Sequence, residues 1–129
     1  MKWSILYLAL LICPINAGED VIQIALDNNV PQSHHRDFGM LLRAIHKAEN
    51  GPTRQFGVIH PSANTLEKQA RWCAATCWKN YQRWLDTDQQ KPYLVFLRDR
   101  YAPLGADNDP SNLNENWLKN VVYFLEEQE

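Results

Sequence analysis

The chain predicts a small, mainly α domain with a short extended or hairpin segment after its first main helix, and three observations carry that reading. Apolar residues recur at spacings of three and four in two long stretches, residues 37–50 and 65–85. Between them, residues 51–64 hold two glycines and two prolines, which rule out a long helix there. Later, residues 100–117 form a stretch dense in Asn, Asp, Gly and Pro before a last apolar-patterned segment. The sequence shows no internal repeat, charge block or low-complexity tail.

Taken in order, residues 1–17 read as a secretory signal, with Lys2, an apolar run from Ile5 to Ile12, Pro14 and the small Ala17. That run is too short to span a bilayer comfortably, so no retained membrane span is expected and the protein should be exported, periplasmic or extracellular. Cys13, between Ile12 and Pro14, fits a lipoprotein cleavage site poorly. Residues 18–129 then make a single domain. Residues 21–26 are a short apolar stretch, a helical turn or a strand, broken by Asn28, Asn29 and Pro31, and they read as an arm packing on the core.

The helix over residues 37–50 aligns Phe38, Leu41, Leu42, Ile45 and Glu49 on one face, with Ser33 or Asp37 as cap and Gly51 and Pro52 as its stop. Residues 54–60 fit a small hairpin or an extended loop. The second long helix, residues 65–85, is capped by Thr65 and aligns Leu66, Ala70, Cys73, Cys77, Tyr81 and Trp84. Trp72, Trp78 and Trp84 fall on different faces; each counts as core by default, although one should line a groove or pack under a loop. Pro92 opens a short helix carrying Tyr93, Phe96, Leu97 and Arg100. A closing helix over about residues 114–127 turns Trp117, Val121, Phe124 and Leu125 inward.

Loss of residues 1–17 removes Lys2 from the 13 basic residues and none of the 15 acidic ones, leaving a net charge of −3. Such a surface has no general attraction for nucleic acid. Cys73 and Cys77 lie four apart in a helical pattern, stacked on one face rather than set for a disulfide, and read as small core residues. Neither is in the exposed setting that a thiol nucleophile needs. The four histidines lack metal-ligand spacing, and Ser62 and Ser111 lack a nucleophile-elbow context. Asp107, Asn108, Asp109, Asn112 and Asn114 supply many oxygens, yet their spacing does not match a helix–loop–helix calcium site. Turn formation and helix capping explain that composition, so no metal or cofactor is expected.

Glu49 is the residue with the clearest chemical prospects. A carboxyl that closes an apolar stripe beside a turn is partly desolvated while remaining reachable, which should raise its pKa above the value of about 4.3 for a free glutamate. That is the environment of a general acid able to protonate a glycosidic oxygen. The plain alternative is a glutamate that rotates into water at the helix end. Asp99, Asp107 and Asp109 are candidates for a second carboxylate by loop position only.

Residues 44–51, Ala-Ile-His-Lys-Ala-Glu-Asn-Gly, followed by Phe56-Gly-Val58, resemble the segment of the lysozyme-like superfamily in which a helix ends in the catalytic glutamate, notably in goose-type lysozymes and soluble lytic transglycosylases. Asn50 stands where that family usually has Ser. Residues 100–103, Arg-Tyr-Ala-Pro, with Gly105, Asn108 and Asn114, resemble the later family loop in which a Tyr and a nearby Asn and Gly border the saccharide site. The resemblance spans roughly residues 37–125 and implies a lysozyme-like domain that cleaves peptidoglycan glycan strands as a muramidase or lytic transglycosylase. By it, Glu49 is the general acid and Tyr101 lies across the cleft from it, with Asn108 and Asn114 in the loop that borders the sugar. The aromatic Trp117 would offer a flat surface for a sugar ring, and Phe56, in the segment after Glu49, is a further candidate for binding substrate. The rival readings are a non-catalytic saccharide- or protein-binding module and a secreted or phage structural protein on the same fold. A Glu49 carboxyl paired with Arg43 or Arg54 on an open surface would favour those rivals.

Overall fold

The computed structural model describes residues 17–49 and 55–129. The expected signal segment lies outside the described residues except for Ala17, as do Asn50, Gly51, Pro52 and Arg54. The described chain is mainly helical, with five α-helices and, among the described residues, no strand.

Helix α1 spans Ala17–Asn29 and buries Ile22, Ala25 and Leu26. The sequence left this segment open between turn and strand because of its paired asparagines. Those residues lie in the last turn of the helix instead, where the side-chain amides of Asn28 and Asn29 fold back to donate to the carbonyls of Ile24 and Ala25, one turn earlier, both at 2.8 Å. After Pro31 comes one 3₁₀ turn, Gln32–His34, and then α2, His35–Glu49. Helix α2 begins two residues earlier than its pattern suggested, so Ser33 lies in the preceding turn and Asp37 in the first turn of the helix. It buries Phe38, Leu41, Leu42 and Ile45, as the spacing predicts, together with Gly39 and Ala44.

Helix α3, Leu66–Leu85, starts at Thr65, whose hydroxyl accepts from the Lys68 N–H at 3.1 Å. It buries Ala70, Cys73, Ala74 and Cys77, and both cysteines are free thiols with no exposed surface. The tryptophans divide in a way periodicity alone does not decide. Trp78 packs against the core, Trp84 donates its indole N–H to the Lys91 carbonyl at 2.7 Å under the following loop, and Trp72 lies on the surface. Helix α4, Tyr93–Tyr101, takes Pro92 as its cap and buries Leu97. It carries Arg100, as the pattern predicts, and runs one residue further through Tyr101, which the sequence placed in the loop. A 3₁₀ turn, Leu113–Asn116, leads into α5, Trp117–Glu126, which buries Trp117 and Val121.

The most extensive packing joins α1 to α3 and α2 to α5, so α2 runs through the middle of the domain. Ile22, Leu26, Leu42, Ile45, Leu97 and Val121 are all at most 2% exposed, and complete burial of such a side chain contributes about 1.5–3 kcal/mol. The chain terminus is pinned to α2 from both sides of Gln128. Its amide donates to the Met40 carbonyl at 2.9 Å, and its oxygen accepts from Arg43 Nε at 2.9 Å.

Of the two forms expected for residues 54–60, the described residues from 55 onward take the loop and not the hairpin. Residues 57–60 are an irregular strap, and the groups a strand partner would engage are taken by a side chain. Gln69 of α3 accepts from the Val58 N–H at 3.1 Å and donates to the Val58 carbonyl at 2.9 Å and the Ala63 carbonyl at 2.7 Å. One buried amide thus satisfies what would otherwise need a second strand.

Candidate active site

A groove of about 710 Å³ lies where α2 ends, within the range of about 300–1,000 Å³ typical of ligand sites. One wall is Ala48 and Glu49 with Gly57 and Ile59 of the strap. The other comes from the end of α4 and the loop after it, including Arg100, Tyr101 and Pro103, and from Asn108, Asn114 and Trp117. Of the six residues singled out in the sequence, five line this one groove.

The exception is Phe56, whose ring has no exposed surface. It stacks on the His46 imidazole at 4.6 Å between centroids and 15° between planes, so it cannot touch a sugar. Its backbone serves the site instead, because the Tyr101 hydroxyl donates to the Phe56 carbonyl.

Glu49 is half-buried at the C-terminus of α2, and its carboxyl rests on Gly57. A Cβ added at Gly57 would lie 2.6 Å from Glu49 Oε2 and 2.7 Å from its Cδ, and Gly57 has φ of +74°. Only glycine meets both demands without strain. Arg43 is engaged with Glu19 at 3.3 Å and with Gln128, and Arg54, the other cation set against an acid, lies outside the described residues.

Tyr101 lines the same groove as Glu49 and is a firmly neutral phenol. Burial pushes its pKa well above the ordinary tyrosine value, and the nearby Cys73 and Cys77 thiols and then Glu49 add to the shift. It therefore acts as a hydrogen-bond donor and not as a base. Its ring stacks on Trp117 at 5.3 Å and 28°. Trp117 is only 4% exposed and forms wall rather than open platform, and its indole Nε1 is buried with no hydrogen-bond partner among the described residues.

The second-carboxylate candidates resolve by geometry. Asp109 lines the groove, yet its two oxygens accept from the backbone N–H groups of Leu113 at 2.9 Å and Asn114 at 2.8 Å, so it braces the 3₁₀ turn as an Asx cap. Asp99 lies at the surface between Arg98 at 3.1 Å and Lys91 at 3.3 Å. Partial desolvation opposes its charge, but the hydrogen bonds from Arg98 and Lys91 outweigh that and hold its carboxyl below the usual range. Asp107 is exposed and does not line the groove. Asn114 reaches across the loop, its side-chain amide donating to the Pro103 carbonyl at 3.0 Å, while Asn108 is exposed at the groove.

The sequence reading missed Arg100 as a lining residue, the apolar lips Ile59 and Leu113, which are 61% and 67% exposed, and the buried Gln69. Gln69 did carry a signal, a long polar side chain next to the apolar stripe, three positions after Leu66. Among the described residues no cluster of His, Cys, Asp or Glu could hold a metal ion, and no helix is long and apolar enough to cross a membrane. Comparison with family models, with curated proteins and with solved structures returns no match to this chain.

Proposed function

We propose that this protein is exported and cleaves the glycan strands of peptidoglycan, with Glu49 as the general acid. The observation that carries the reading is the convergence in one groove of Glu49 with Tyr101, Asn108, Asn114 and Trp117, residues separated by up to 68 positions in the chain. The groove's lining combines asparagine amides, Arg100 and a stacked aromatic pair, a mixture suited to sugars, which offer hydroxyls at their edges and C–H groups on their faces.

In the proposed reaction Glu49 passes its proton to the glycosidic oxygen as the bond from that oxygen to the anomeric carbon breaks. A nucleophile then closes on the anomeric carbon and returns a proton to the Glu49 carboxylate. The engagement of both Asp109 oxygens supports a route without a second catalytic carboxylate. That nucleophile is either a water, which makes the protein a muramidase, or a hydroxyl of the sugar itself, which makes it a lytic transglycosylase. Product masses from digested peptidoglycan distinguish them, since only hydrolysis adds a water. Glu49→Gln keeps the shape and removes the proton, so loss of cleavage by a folded variant is the expected result. Undiminished cleavage removes Glu49 from its assigned role, and absence of cleavage by the wild-type chain favours the binding-module reading.

A further inference from the structure

We propose that Gln69, outside the groove and on a different helix, is a positioning residue for Glu49, acting through the strap on which the Glu49 carboxyl rests. This rests on the functional reading above. The Glu49 carboxyl lies within contact distance of Gly57, closer than any side chain would allow. Gly57 has no side chain to anchor it and sits at a φ that glycine enters and leaves freely. Its position is therefore set by its two neighbours. Phe56 is tethered on one side by the Tyr101 hydroxyl at its carbonyl. Val58 is tethered on the other by Gln69 at both its N–H and its carbonyl.

Gln69 also holds the far end of the strap through the Ala63 carbonyl, just after the turn closed by the Ala63 N–H to the His60 carbonyl at 2.9 Å. Its side chain is 4% exposed, so water does not compete for these bonds. Three hydrogen bonds from one amide fix a segment that has no strand partner, and this segment is the seat of the acid. A shift of the strap displaces the carboxyl relative to the scissile oxygen while leaving Arg100, Asn108, Asn114 and Trp117, which lie on other segments of the groove, in place.

The test uses the full chain carrying Gln69→Met, which keeps the length of the side chain and removes the amide. Amide exchange at Val58 should quicken by about tenfold or more, and the NMR signals of the Gly57 amide and the Glu49 carboxyl carbon should move. On solubilised glycan strands kcat should fall roughly 10–100-fold with KM within about twofold of wild type, because a misplaced acid costs turnover and not binding. Gly57 and Glu49 signals at their wild-type positions, or a wild-type kcat, would overturn the proposal. If wild type proves not to cleave glycan, the catalytic reading falls and the Gly57 and Glu49 signals alone decide whether Gln69 sets the carboxyl. Gln69→Glu, which can still accept from Val58 but donates nothing, answers the same questions should the methionine variant not fold.

Discussion

Helix α2 ends in an aromatic hollow on each side, and the two are built to opposite purposes. Near its N-terminus a cavity of about 250 Å³ is lined by His34, Asp37, Phe38, Tyr81, Tyr93 and Leu125. There the rings meet edge to face, Phe38 with Tyr81 at 5.5 Å and 79° and Tyr81 with Tyr93 at 5.4 Å and 86°, an arrangement that spends ring faces on other rings. The Tyr93 hydroxyl there donates to the Cys77 carbonyl at 2.6 Å. At the C-terminus of α2 the groove is larger and lined mostly by polar groups, its aromatic pair is stacked, and one indole N–H has no partner among the described residues. The first region holds the domain together, while the second tolerates an unpaired donor and a carboxyl pressed against backbone. Such concessions cost stability and are retained where geometry matters for chemistry.

The largest expected effect is at Glu49. Glu49→Gln should lower glycan cleavage by about 10²–10⁴-fold at unchanged melting temperature, and a calorimetric scan beside a turnover assay checks both halves. Phe38→Ala is the matching cut in the other region. It should cost about 3–5 kcal/mol of stability and leave the turnover of the folded fraction intact, so a loss of turnover with stability retained would erase the contrast.

Gly57→Ala comes next. It adds a Cβ 2.6 Å from Glu49 Oε2 at a φ of +74°, a strain of about 1–3 kcal/mol that must be met by moving the acid. Turnover should fall well below wild type while substrate binding, measured by calorimetry on the inactive variant, is retained.

The alkaline limb of stability sharpens the comparison further, because each region buries a tyrosine. The pKa values of Tyr93 and Tyr101 are raised, foremost by burial, so the folded state keeps its protons where the unfolded chain releases them. Their contribution is full below the unfolded value of about 10 and is lost as pH rises beyond it. Denaturant titrations should show stability falling above about pH 10, less steeply in Tyr93→Phe and in Tyr101→Phe. Only Tyr101→Phe should also slow cleavage, by less than Glu49→Gln does. The smallest effect belongs to Trp117→Phe. Trp117 is 4% exposed and stacked on Tyr101, so the smaller ring should cost a modest amount of stability through the space it leaves while KM rises a few-fold, and an unchanged KM would remove Trp117 from the sugar site.

The helices were legible because burial acts through periodicity. Phe38, Leu41, Leu42 and Ile45 announce α2, and Thr65 announces the start of α3, since a capping hydroxyl is a local device. Helix α1 was not legible, because Asn28 and Asn29 stop a helix or interrupt a strand with the same side chains and only the carbonyls they reach decide which. The site was legible in part. That Glu49 and Tyr101 stand near one groove could be read from the segments around them, whereas Phe56 was taken for a lining residue because a ring beside a groove and a ring beneath it look alike in sequence.

By itself the sequence determined the helical class, the cap at Thr65, the place of Glu49 at the end of an apolar stripe, and the chemistry the loops can offer. These follow from spacing and side-chain type, which act over a few residues. Only the tertiary structure decided that residues 49, 57, 101, 108, 114 and 117 share one groove, that Asp109 is a brace, and that Gln69 stands in for a missing strand. Those outcomes depend on which helix packs on which, and the free energy of burying a shared core, rather than any local preference, sets that arrangement.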